Sequence, residues 1–235
     1  MTFDFKKEID KPDYAILNAV SLDQWLAYLL AGDAPMEAIM NMPSHGLGAE
    51  ELAEHFFRLW NSGLIECSIE ESGPPVAPNL EFARKQFVRT KEWPPEGDES
   101  VIYRLSRDGG AVWEYFASPD WGKFFKVETD YDLVQCQLAS ANRDLVEALR
   151  ECENQHPAPI EGTDRWVVLQ PWNATYWKTL PSAHQLTFRV SISSSPIGYN
   201  RLGHTHPACQ QVTESWRLWC KSFDEVRDKH FGDTA

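Results

Sequence analysis

The sequence predicts an α+β protein. Three observations carry that reading. Apolar residues recur at helical spacing in AEELAEHFFRLWNSG and in the closing stretch QQVTESWRLWCKSFDEVRDKHF. They alternate at strand spacing in HQLTFRVSI. In the first half the elements fall in the order helix, helix, helix, strand, long loop, strand, helix, and there is no internal repeat.

Residues 1–13 are polar and read as loosely packed. SLDQWLAYLLAG reads as the first strong helix: Ser21 can cap it, Asp23 suits its positive end, and Gly32 can stop it. Leu22, Trp25, Leu26, Leu29 and Leu30 would form its apolar face. APMEAIMNM fits a short second helix with Pro35 in the first turn. The third runs from Ala49 to about Asn61, with Leu52, Phe56, Leu59 and Trp60 on one side and Gly63 as its left-handed stop. LIECSIEE follows with strand character. Residues 72–99 are a long insert whose five prolines argue against a continuous strand. Its middle, NLEFARKQFVRTK, suits a short helix or strand. SVIYRLS reads as a strand, Ser106 as an N-cap, and Val112, Tyr115 and Phe116 as a helix face that ends at Ser118-Pro119.

The second half opens with FFKVETDYDLVQCQLA, one or two strands. SANRDLVEALRECENQ is a helix, read as capped by Ser140. RWVVLQPW reads as a buried strand, and HQLTFRVSI as a second with Leu186, Phe188 and Val190 inward. GYNRLGHTHPACQ reads as loop. Val212, Trp216, Trp219 and Phe223 would form the core face of the last helix.

Three helices followed by a strand pair, in the phrases AEELAEHFFRLWNSGLIE and VIYRLSRDGG, resemble a winged helix-turn-helix domain over about residues 14–117. The resemblance implies that Ala49–Asn61 takes the place of a DNA-reading helix and that 72–99 is a long wing insert. GGAVWE and YWKTLP are similar to phrases in bacterial proteins of unassigned function. The expected organisation is a winged-helix-like domain over 1–121 and a smaller α+β domain over 122–235, closed by an amphipathic helix.

Charge limits the partners. The 235-residue chain carries a net charge of −13. Residues 1–125 hold 21 acidic against 11 basic side chains, and residues 126–235 hold 14 against 11. Like charge repels a polyanion within about a Debye length, roughly 10 Å at 0.1 M salt. A basic protein is the better partner, and nucleic acid and anionic membranes are disfavoured. Five scattered cysteines (67, 136, 152, 209, 220), no signal-like start and no apolar run long enough to span a bilayer predict a cytoplasmic protein with reduced thiols.

Candidate sites follow from residue type. Glu50, Glu51 and Glu54 put three carboxylates on the helix that would meet DNA, against a single base, Arg58. Phosphate neutralisation needs Lys or Arg, and base reading is mostly done by Arg, Lys, Asn and Gln. Arg84, Lys85, Arg89 and Lys91 in the insert supply the DNA-binding alternative, a basic wing. Glu128, Asp130 and Asp132 would share one face of a strand, as a hard-cation site, as a row presented to a basic partner, or, on the plain reading, as a solvated face or edge that discourages pairing. His204, His206 and Cys209 have ligand types suited to zinc but no evident fourth ligand; the plain reading is loop histidines beside a structural thiol. Trp166, Trp172, Tyr176 and Trp177 read as core, with a binding interface second, ahead of a ligand pocket. No phosphate-binding glycine loop, GxSxG, HExxH or CxxC occurs in the sequence, so no catalytic residue and no cofactor is expected. The leading expectation is a non-enzymatic, acidic interaction protein of the immunity or antitoxin type. The alternative is a ligand-responsive winged-helix regulator of transcription.

Overall fold

The computed structural model describes residues 5–27, 47–69, 73–88, 101–130, 134–152, 158–191 and 206–232. It is an α+β structure, as the sequence predicts. The chain divides into two compact units. One comprises Met1–Ser118, Thr175–Trp177 and Glu225–Ala235; the other comprises Pro119–Ala174 and Lys178–Asp224.

The first unit begins with helices α1 (Phe5–Glu8) and α2 (Lys11–Ala19). The helical start therefore lies earlier than the polar composition suggests. Asp10 supplies the reason: its carboxylate accepts from the Asp13 amide at 3.0 Å, and Asp13 returns a contact to the Asp10 amide at 3.3 Å. This reciprocal capping box satisfies two otherwise orphan donors. The helix expected over 21–32 does not begin at Ser21. Ser21 donates back to the Asn18 carbonyl, and Trp25–Leu26 forms a short strand, β1. Its partner is Ile102–Leu105 (β3), which aligns Trp25 with Tyr103 and Leu26 with Ile102. Residues 28–46, including the expected second helix, lie outside the described residues.

Helix α3 (Ala49–Asn61) has the predicted bounds and buries Leu52, Ala53, Phe56, Leu59 and Trp60. Gly63 follows at φ 77°, a left-handed conformation that suits glycine. Strand β2 (Ile65–Ser68) then pairs antiparallel with β3, so the sheet order is β1-β3-β2. Between β2 and β3 lies helix α4 (Leu80–Val88), and the Asn79 side chain accepts from the Phe82 amide at its start. Phe56 is the hub of the core, edge-on to Phe87 at 5.2 Å and to Tyr103 at 5.1 Å. Helix α5 (Arg107–Ala117) is capped by Ser106, whose hydroxyl accepts from the Gly109 amide at 3.0 Å. It buries Val112, Trp113 and Phe116, while Tyr115 stays 46% exposed. Ser118 ends it in the left-handed region.

The second unit is built on an antiparallel sheet. Strands β4 (Phe125–Asp130), β5 (Gln135–Ser140) and β10 (Ala183–Ser191) lie side by side. Beyond β10 come β6 (Ala158–Pro159) and β7 (Arg165–Leu169), with a separate small pair β8 (Trp172–Asn173) and β9 (Thr179–Leu180). Helix α6 (Arg143–Cys152) covers one face, where Cys136, Leu138, Leu145, Val146, Leu149, Leu186, Phe188 and Val190 form the core. Alternation placed the β10 residues correctly. Asn142, rather than Ser140, caps α6 by accepting from the Asp144 amide at 3.1 Å. Ser140 ends β5 instead, and its hydroxyl donates to the Phe124 carbonyl at 2.8 Å. β7 is not buried as expected. Trp166, Val167 and Val168 are 38%, 52% and 56% exposed, because β10 is the only strand paired with β7 among the described residues.

The final helix, α7 (Pro207–Phe231), begins earlier than read, so Cys209 lies in its first turn and not in a loop. Of its expected core face, Trp219 is buried, Val212 packs against the sheet core, and Trp216 is 45% exposed. No helix among the described residues is long and apolar enough to cross a membrane.

Candidate functional site

Helix α3 has two sides because its apolar residues recur every three or four positions. One side forms the core; the other carries Glu50, Glu51, Glu54, His55 and Arg58. An open cavity of about 380 Å³ lies there, lined by Leu47, Glu51, Glu54, His55 and Arg58. Glu50 and Glu54 are exposed. Glu51 has a structural share in the site, since its carboxylate accepts from the Gly48 amide at 3.3 Å and caps the helix.

The two arginines near this face are both engaged. Arg58 reaches Asp10 at 3.1 Å and pairs more closely with Asp13. Arg84, on α4, meets Glu50 at 2.5 Å, Glu54 at 3.4 Å and Glu81 at 2.5 Å. These contacts, with Glu81 foremost, hold its guanidinium above its ordinary pKa. Lys85 is exposed on α4, and Arg89 and Lys91 lie outside the described residues. Of the four insert bases, the best-placed one is thus offset by three carboxylates.

Behind the cavity, sequence reading missed a polar cluster. Asp13 is fully buried, and His55 Nδ1 lies 2.9 Å from one of its oxygens and 3.5 Å from Asp10. Burial pushes the Asp13 carboxyl up, while Arg58 and His55 pull it back. Burial lowers the Arg58 pKa, but its bonds to Asp13 and Asp10 more than compensate. Arg58 also approaches His55 Nδ1 at 3.1 Å. A nitrogen that donates to Asp13 cannot also accept from Arg58, so the carboxylate contact is the hydrogen bond when Asp13 is ionised. Asp10, Asp13 and His55 place three metal-ligating atoms within 4.8 Å of one another. The Arg58 guanidinium contacts both carboxylates and supplies the cation they require. The cluster therefore reads as a clamp between α2 and α3. The signal was present in the sequence as Asp-x-x-Asp at the start of one helix and His-x-x-Arg in another, but their meeting is a tertiary fact.

In the second unit, Glu128 and Asp130 are exposed on one face of β4, as alternation predicts, and Lys126 lies 4.0 Å from Glu128. Asp132 and His204 lie outside the described residues. His206 stands just before α7, where its Nδ1 accepts from the Ala208 amide at 3.3 Å and its Nε2 faces Glu151 at 3.4 Å. Cys209 meets a residue that was not singled out, Cys152, with sulfurs 2.8 Å apart. The aromatic group does not gather as one set. Trp172 is buried in the second unit and Trp166 is half-exposed under Arg143. Tyr176 and Trp177 belong to the first unit and bond to the Val20 and Ser21 carbonyls, each at 2.7 Å.

No protein-family model matches the chain, and neither a curated protein nor a solved structure does.

Proposed function

We propose that the chain is an acidic, non-enzymatic protein-binding module that acts in the cytoplasm, with a winged-helix-like first unit whose DNA-reading position faces a basic protein instead. The sheet order β1-β3-β2, with α3 leading directly into β2, supports the scaffold reading. The observation that carries the functional reading is the state of Arg58 and Arg84. Both guanidiniums beside α3 are taken up by carboxylates of this chain, so the exposed face presents acid and little uncommitted base. A polyanion gains affinity from neutralisation by Lys and Arg, which this face does not offer. A cationic surface gains both encounter rate and register from it. An immunity or antitoxin-type role, in which the face covers a basic toxin, is the form that fits such a surface.

The test has two parts. Cross-linking in the source cell, followed by reconstitution with the purified partner, is expected to give a basic protein whose binding weakens with salt. Glu50→Gln with Glu54→Gln should then lower affinity by about tenfold and flatten the salt dependence, with helicity unchanged. Random duplex DNA at low salt should not bind. Tight DNA binding that weakens on Lys85→Gln, Arg89→Gln and Lys91→Gln would overturn the reading in favour of a transcription regulator.

A further inference from the structure

Cys152 ends α6 and Cys209 lies in the first turn of α7, 57 positions apart in sequence. Their sulfurs are 2.8 Å apart, closer than two unbonded sulfurs ordinarily rest. Cys152 is half-buried and Cys209 is 8% exposed, so a small molecule reaches the first more readily than the second. The other cysteines with described side chains are differently placed. Cys67 and Cys136 are buried within strands β2 and β5, each 1% exposed. Burial also pushes the Cys67 thiol far up, which keeps it protonated and inert.

We infer that Cys152 and Cys209 are a redox-active pair that closes into a disulfide and joins the end of α6 to the start of α7. The oxidant required is a small-molecule disulfide. The Cys152 thiolate attacks one of its sulfurs, forming a mixed disulfide and releasing one small thiolate. The Cys209 sulfur then attacks Cys152 Sγ, forms the protein disulfide and expels the second small thiolate. The two protons lost by the protein end on the two small thiols released, and the protein gives up two electrons. The 2.8 Å gap must close to the roughly 2.05 Å of a disulfide, a shift of less than about 1 Å.

The consequence is local to the second unit. Val212, in the turn after Cys209, packs on the sheet core beside Leu145 and Leu149 of α6. With reduced thiols, packing and the His206–Glu151 contact at 3.4 Å hold the first turns of α7. With the disulfide formed, a covalent bond does so and constrains the unfolded chain across a long loop.

A thiophilic metal ion is the rival occupant. Among the described residues, however, the ligand atoms of His206, Glu151 and the two cysteines do not form a group lying mutually within 4.8 Å; Asp10, Asp13 and His55 do.

Full-length protein incubated with glutathione disulfide tests the inference. The expected result is loss of the mass of two hydrogens, a Cys152–Cys209 cross-linked peptide in an unreduced digest, and a higher unfolding midpoint that dithiothreitol reverses. Cys209→Ser should stop the reaction at a glutathione adduct on Cys152, and Cys220→Ser should leave the cross-link intact. A cross-link to any other cysteine, or no cross-link under conditions that oxidise a control dithiol peptide, would overturn it. So would one equivalent of zinc in the purified protein that disappears in Cys152→Ser.

Discussion

The space that a β-carbon on Gly109 would need is occupied by the carbonyl oxygen of Leu64. The same carbonyl accepts from the Ser106 amide at 3.0 Å, and the Ser106 hydroxyl donates to the Gly63 carbonyl at 2.6 Å. The start of α5 is thereby fastened to the turn that follows α3. Backbone is the obstacle, so no rotamer change relieves it. Gly109→Ala, which by helix propensity should help slightly, is expected to destabilise by about 1–3 kcal/mol or more. Denaturant unfolding would show it. The neighbouring Gly110 lies against the ring of Trp177, a side chain, so Gly110→Ala must displace that ring and not a main-chain atom.

Tyr176 closes two backbone groups with one hydroxyl. It accepts from the Leu105 amide at 2.6 Å and donates to the Val20 carbonyl at 2.7 Å. Tyr176→Phe keeps the ring and removes both bonds. The expected loss is about 1–3 kcal/mol, since the two partners are left without it in a partly buried site. Amide exchange at Leu105 should quicken in the variant, which a mere loss of ring packing would not single out.

Removing Arg58 uncovers Asp13. Arg58→Ala is expected to cost about 1–3 kcal/mol at neutral pH, discounted because the arginine is itself half-exposed. The pH dependence is specific. The Asp13 carboxyl already titrates above its ordinary value because of burial, and loss of the guanidinium raises it further. A raised carboxyl favours folding fully below the unfolded value, near 3.9, and loses that contribution as pH rises through the folded value. The deficit of the variant should therefore shrink on acidification, which unfolding curves at two pH values would check.

At the alkaline end the sign is the same for three groups. Burial holds Tyr103, Tyr176 and Cys67 above their ordinary values. Each is neutral when protonated, so its contribution is whole below the unfolded value, about 8.5 for a thiol and about 10 for a phenol, and declines above it. Stability should fall between neutral pH and about pH 11. Tyr103→Phe, which removes a buried hydroxyl with no hydrogen-bond partner among the described residues, should lessen the fall.

How much was legible depended on how local the cause was. Helix α3 could be read to the residue because its apolar stripe and its glycine stop are both in the segment. The leucine-rich stretch after Ser21 could not. Its spacing is helical, but Trp25 and Leu26 are claimed by Tyr103 and Ile102, far along the chain. β7 shows a related limit: Trp, Val and Val announce a strand, yet strand preference does not say whether a second strand or helix will cover it. The acidic face of α3 was visible as three glutamates. That its arginines are spent depended on Asp10, Asp13 and Glu81, brought there by other helices. Likewise Cys209 was noticed, while Cys152 became its neighbour only through the packing of α6 and α7.

The first unit draws on three separate stretches of chain, the last of them beginning at Glu225. The half-buried ring of Phe231 packs 5.4 Å from Phe116 and 5.5 Å from Tyr14. The N-terminal helices of this unit therefore pack against a stretch that a ribosome adds much later than the helices themselves. The unit is not a contiguous N-terminal block of the kind that can finish folding as soon as it is synthesised. Until residue 231 has been made, the rings of Tyr14 and Phe116 lack one of their aromatic neighbours.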